Sequence, residues 1–280
     1  MGMKIWWQSI FPPQEQIERE AGITLTASGE EAEGKFLENL RTVARSDTEV
    51  HLHYIKHSAY VVHFYYAEML NNIWLLDGVI QAEREGYDAV IIGCADDPGI
   101  REARQAVDIP VVAPAEAAMM LACSLGSSFG MITVMEELVA FCERNIRNYG
   151  MESRAVRPVR VHDVGEDWVN ALFEMLIHPD VLFPRFEEVC RACIDDGAEV
   201  ILPCCCALSP ALSLAGYREV PGTGVPIVDV THAALKLAET LVDLKRAVGL
   251  GKSQRRTFKS TPTKIRDAMR SLTYSEPGKT

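Results

Sequence analysis

The sequence predicts an α/β protein built from two similar doubly wound lobes, with parallel sheets and an active site between the lobes. Three observations lead there: short β-branched runs alternate with amphipathic segments, the pattern occurs twice, and each copy ends a strand in cysteine.

The candidate strands in order are KIWW (4 to 7), DAVII (88 to 92), PVV (110 to 112), GMITV (130 to 134), EVIL (199 to 202) and PIVDV (226 to 230). Each is short and nearly continuously apolar, as strands covered by helices on both faces must be. Between them, 68 to 85, 101 to 107, 135 to 149, 182 to 196 and 232 to 247 carry helical spacing. Strands separated by helices are βα units, and such units make a mainly parallel sheet.

The repeat turns one sheet into two. GYDAVIIGC (86 to 94) matches GAEVILPCC (197 to 205), and PVVAPAEAAMMLA (110 to 122) matches PIVDVTHAALKLA (226 to 238) without a gap. The blocks keep their order and differ in the connection after the second cysteine, so duplication is the simplest account. The expected division is a first lobe of 1–113 plus 225–250, a second lobe of 114–224, and a basic extension of 251–280. In open α/β sheets ligands bind at the carboxyl ends of the strands, so a cysteine stands at a ligand-facing position in both lobes.

Composition narrows the function. The chain has 280 residues, is 48% hydrophobic and carries a formal charge of −11, which gives it a full core and no basic stripe for nucleic acid. No apolar run approaches a membrane span, and MGMKIWWQSI lacks the basic and apolar regions of a signal peptide, so a cytoplasmic protein acting on a small molecule is expected. The apolar segment IWWQSIF suggests a homo-oligomer. The tail from Gly251 holds eight Lys/Arg against two Asp/Glu, which leaves about −17 on the first 250 residues. It reads as an extension packing on the acidic body or on a neighbouring subunit.

The eight cysteines are expected to be reduced thiols. Cys190 and Cys193 form C-x-x-C within a helical pattern, with no second pair to complete a zinc site, and no metal or cofactor is expected. After Cys94, Asp97 suits a helix N-cap and Pro98 a first helical residue, and Ser209-Pro210 repeats the arrangement. Helix-end N–H groups near a thiol favour its thiolate, and they can also hold a substrate oxygen. Of the three adjacent cysteines, counting from Gly86 and Gly197 selects Cys205, while counting back from the Ser-Pro pair selects Cys206. Strand register is the firmer guide, because a one-residue slip reverses the face. Cys205 is therefore preferred, Cys206 is the fallback, and Cys204 is assigned to the core.

GCADDPGIREAR with IPVVAPAEAAM, and GAEVILPCC with VPIVDVTHAALKLAE, resemble the two signature regions of the aspartate/glutamate/hydantoin racemase superfamily, and most closely its hydantoin and allantoin racemase branch. The resemblance covers roughly residues 80 to 245 and implies a cofactor-independent racemase or epimerase. In that reading one thiolate removes a Cα proton and the opposite thiol returns one, with Cys94 and Cys205 as the two bases. The peptide groups after each cysteine, at Ala95, Asp96 and Cys206, would bind substrate.

Departures from the family pattern shape the rest. Cys205-Cys206-Ala207-Leu208 stands where amino-acid racemases of the family show Gly-Cys-Thr-His, which disfavours free aspartate or glutamate. Trp7-Gln8-Ser9 replaces an Asn-Pro-Asn type loop, so Gln8 and Ser9 are candidate substrate contacts, and Thr133 is their counterpart at the end of the equivalent strand. His51, His53, His57 and His63 could line the mouth of the cleft, although imidazoles packed in a helix are the simpler reading. Glu116 and His232 occupy matching helix starts, where capping is expected. The alternatives are a maleate-isomerase-like or arylmalonate-decarboxylase-like enzyme with a cysteine nucleophile or proton donor, and a non-enzymatic binding protein on the same fold.

Overall fold

The computed structural model describes residues 2–58, 61 and 63–273. In chain order the elements are β1 (Met3–Ser9), α1 (Gln14–Ala21), α2 (Gly29–Arg41), β2 (Thr48–His53), α3 (Tyr65–Arg84), β3 (Ala89–Gly93), α4 (Ile100–Ala106), β4 (Val111–Val112) and α5 (Pro114–Leu125). There follow β5 (Phe129–Thr133), α6 (Val139–Asn148), β6 (Arg160–Val161), α7 (Trp168–Ile177), α8 (Phe183–Asp195), β7 (Val200–Pro203), α9 (Leu208–Leu214), β8 (Glu219–Val220), β9 (Val225–Pro226), α10 (Val230–Val248) and α11 (Thr263–Thr273).

Two parallel sheets form, in the orders β2-β1-β3-β4 and β6-β5-β7. The repeat is visible in the register. Val90 pairs with Val111 in the first sheet, and Ile201 bridges in parallel to Ile227 in the second, which are the same positions of the two sequence blocks. The expected strand 226 to 230 shrinks to that bridge, because β8 and β9 form a separate antiparallel pair and α10 begins at Val230.

One core cluster joins the sheets. It contains Ile5, Trp7 and Ile91 from the first, Met131, Val200 and Leu202 from the second, and the helices α5 and α10 between them. The contact between α5 and α10 is lined by alanines that match across the repeat, with Ala117, Ala118 and Ala122 answering Ala233, Ala234 and Ala238, all buried. Side chains this small let helix axes approach closely. The two sheets are thereby held with both sets of strand ends near one another.

Residues Ile5, Trp6, Trp7 and Ile10 are buried in the chain's own core, so the apolarity of IWWQSIF is spent on the central strand of the first sheet rather than on an interface. The basic extension packs back on its own chain. Arg266 pairs with Glu83 at 2.9 Å and Arg84 with Asp267 at 2.8 Å, while the Thr261 N–H donates to the Gln105 carbonyl. The end of the extension, 274 to 280, lies outside the described residues. No helix among the described residues is long and apolar enough to cross a membrane.

Candidate active site

The strand ends of both lobes open into one cavity of about 750 Å³. Cys94, Ala95 and Asp96 line it from the end of β3, Cys204, Cys205 and Cys206 from the end of β7, and Ser9 from the end of β1. Apolar side chains supply most of the remaining wall, including Trp7, Phe36, Val134, Trp168, Leu172 and Phe173. Tyr54 and Glu33 add a polar edge, where the phenol donates to the carboxylate at 2.6 Å.

Gly93 immediately precedes the first thiol, and a Cβ there would meet Trp7 Nε1 at 2.5 Å and the Gln8 carbonyl at 2.6 Å. A residue without a side chain lets β3 lie close against β1 at the cavity floor.

The two cysteine loops share a local geometry. Cys94 Sγ accepts the peptide N–H of Asp96 at 3.5 Å, and Cys205 Sγ accepts that of Ala207 at 3.4 Å. In each loop the donor is two residues after the thiol. Cys204 is buried, as is its neighbour Cys142, in keeping with a core position at the cavity floor. Cys206 packs on the core cluster between the sheets, and Cys205 packs on the cluster behind the second sheet.

Burial reverses the expected electrostatics. Desolvation pushes the Cys94 thiol well above its ordinary range, helped by the Asp96 carboxylate, and the Asp96 N–H only partly offsets it. Cys205 is raised by burial and lowered by the N–H groups of Leu208 and Ala207, with the rise prevailing. The helix-end donors are present, but the apolar cavity outweighs them.

The caps also differ from expectation. Asp97 does not cap α4, whose N-cap is Gly99; it has a left-handed φ of 52° and turns its carboxylate to the first turn of α5. There it accepts the N–H groups of Ala115 (3.0 Å) and Glu116 (2.9 Å) and the Tyr149 hydroxyl (2.8 Å). Asp is among the few residue types that tolerate that backbone region, and the three donors secure it there. Ser209 lies inside α9 and accepts the N–H of Val230, at the start of α10. Both loops thus reach across to the repeat-equivalent helix of the next segment.

Gln8 and Thr133 do not reach the cavity. Strand alternation turns Trp7 and Ser9 toward it and Gln8 away. The Gln8 amide is fully buried against Gly78 of α3, accepts Trp6 Nε1–H at 2.8 Å and donates to the Ser9 carbonyl. Thr133 ends β5 but is fully buried, and the cavity is lined by the next two residues, Val134 and Met135.

The histidines sit differently as well. His51 and His53 lie on β2 rather than in a helix and share the Tyr87 hydroxyl, at 2.7 and 3.1 Å, and His53 stacks on Trp6. His57 packs on Trp74, and His63 meets Trp168 edge-on. Glu116 pairs with Arg104, and His232 Nε2 contacts the Asn39 carbonyl at 3.0 Å. Cys190 and Cys193 are buried in α8. Among the described residues no three His, Cys, Asp or Glu side chains are grouped to hold a metal ion.

Two helices that close the cavity, α2 and α7, are absent from the sequence reading. The first carries a readable signal, since Ser28 precedes it, Glu31 follows three residues later, and the Ser28 side chain accepts the Glu31 N–H. The second, WVNALFEMLI, is apolar nearly all round and has no side-chain cap.

Two joined parallel α/β lobes with a cavity between their strand ends define a two-lobed enzyme. The family described as Asp/Glu/Hydantoin racemase matches residues 22–238. A hydantoin racemase of Pseudomonas sp. (strain NS671) is 34% identical over 228 residues, covering 78% of this chain and 82% of the relative. An allantoin racemase structure from Pseudomonas fluorescens superposes with a TM-score of 0.73 at 25% identity, covering 92% of this chain and 97% of that one. That of Klebsiella pneumoniae gives 0.72 at 21% identity, covering 93% and 94%. The chain belongs to the Asp/Glu/hydantoin racemase family and is an isomerase of the racemase type.

Proposed function

We propose that this racemase inverts a carbon of a cyclic amide of the hydantoin or allantoin type by two-base proton transfer between Cys94 and Cys205, without a cofactor. The observation that carries the reading is the matched pair of loops, in which each thiol lines the shared cavity and accepts the N–H of the residue two positions on. That match favours Cys205 over Cys206, because Cys205 is the residue that repeats the environment of Cys94.

A ring carbonyl beside the reacting carbon acidifies its proton and receives the charge as an enolate oxygen. The peptide N–H groups at Ala95 and Cys206, the first after each thiol, are assigned to that oxygen. High thiol pKa values are no obstacle, since a thiolate formed in an apolar cavity is a strong base and its partner must be a thiol to act as acid. The apolar wall of Phe36, Trp168, Leu172 and Phe173 fits an apolar ring substituent better than the ureido group of allantoin. The protein is read as a cytoplasmic homo-oligomer acting on this free small molecule.

The test is incubation of single enantiomers of benzyl-, isobutyl- and ureido-substituted hydantoins in deuterium oxide, following optical rotation and the Cα–H signal. Loss of both signals, fastest for the benzyl compound, is expected. No loss with any of the three would overturn the reading.

A further inference from the structure

The two cysteine loops match in their backbone and differ in one side chain. The residue two after Cys94 is Asp96, and the residue two after Cys205 is Ala207. Cys94 Sγ donates to Asp96 Oδ2 at 3.6 Å while accepting the Asp96 N–H at 3.5 Å, so thiol and carboxylate form a closed pair. Asp96 is only 6% exposed and also lines the cavity. Among the described residues no carboxylate is hydrogen-bonded to Cys205, whose donors are the peptide N–H groups of Ala207 and Leu208.

The Asp96 peptide is held by α6. Its carbonyl accepts Arg144 Nη2 and Asn145 Nδ2 of α6, both at 2.9 Å. Arg144 in turn makes a two-pronged pair with Glu68 of α3, at 2.7 and 2.8 Å.

We propose that Asp96 is the proton acceptor for the Cys94 thiol, so that Cys94 works as a thiol–carboxylate pair and Cys205 works alone. Asp96 acts through Cys94, as a positioning and proton-holding residue. The proposal rests on the two-thiol reading of the site. When Cys94 is the base, its S–H proton passes to Asp96 Oδ2, the thiolate takes the Cα proton and becomes S–H, and Cys205 gives its own proton to the opposite face. Cys205 is left as thiolate. Asp96 then releases its proton to solvent, and Cys205 regains one.

Burial holds the Asp96 carboxyl up to about 7, far above the usual carboxylate range. The other groups facing the pair are Arg144 of α6, Glu68 of α3, and Cys205 and Cys206 of the loop after β7. Asp97 is turned away toward Tyr149 and Glu116.

The experiment needs no substrate and so separates this proposal from the assignment of the reaction. Alkylation of Cys94 and Cys205 by iodoacetamide is followed peptide by peptide from pH 5 to 10 in the wild type, Asp96→Asn and Asp96→Glu, with thermal melting as the check on folding. In the wild type Cys94 should react in two steps separated by a plateau, because one proton is shared across the pair, while Cys205 reacts in one. In Asp96→Asn the lower of the two steps should be lost, leaving a single step for Cys94, because no carboxylate remains to take the thiol's proton. Cys205 should change less, and Asp96→Glu should restore the two steps. A single wild-type step for Cys94, or equal changes at both cysteines in Asp96→Asn, would overturn the proposal.

Discussion

Ser209 Oγ accepts the peptide N–H of Val230 at 3.0 Å, and so ties the loop after the second cysteine to the start of α10. Asp97 does the same for α5 from the loop after the first cysteine, with two peptide donors instead of one, and also accepts the Tyr149 hydroxyl. The helices packed between the lobes therefore fix the thiol loops as well as the sheets. Asp97→Ala should cost about 2 kcal/mol, by stranding buried donors, and Ser209→Ala about 1 kcal/mol. Urea denaturation midpoints check the order; an Asp97→Ala midpoint equal to wild type would contradict it.

His162 gives a pH signature. It is 4% exposed with Phe186 edge-on, and burial lowers its pKa to about 4, helped by Arg185. The unfolded chain takes up the proton first, near the ordinary imidazole value of 6.5, so the contribution of His162 is complete above that pH and drains away as pH falls toward 4. Asp96 and Asp97, held up to about 7, work in the opposite sense, so only a comparison isolates the histidine. Between pH 7 and 4.5 the wild type should lose about 2–3 kcal/mol more than His162→Gln in chemical denaturation. Parallel losses would contradict the assignment.

The repeat is legible in the sequence because β-branched runs, a strand-ending cysteine and the alanine-rich helix starts recur at fixed spacing, and packing uses all of them. Facing is less legible. At the end of β1 the cavity takes Ser9 and the core takes Gln8, a matter of one residue's parity that a strand with apolar residues on both faces does not reveal. β2 is hidden because His51 and His53 owe their strand positions to Trp6 and Tyr87, which are distant in sequence. Asp97 reads locally as a cap for α4, and only the fold shows that α5 offers the better donors. The direction of the thiol pKa values follows from burial in a cavity whose apolar wall is partly built by α2 and α7.

The central claim is that two thiols divide one proton transfer, and hydrogen exchange in deuterium oxide with each pure enantiomer of a turned-over hydantoin measures it directly. Cys94→Ser and Cys205→Ser should both lose racemisation by at least about a thousandfold, since a serine hydroxyl is far too weak an acid or base near pH 7. Each should retain slow Cα–H exchange with one enantiomer only, of opposite hand in the two variants, while Cys206→Ser keeps exchange with both. Racemisation by Cys94→Ser or Cys205→Ser near the wild-type rate, or the same surviving hand in both, would contradict the account.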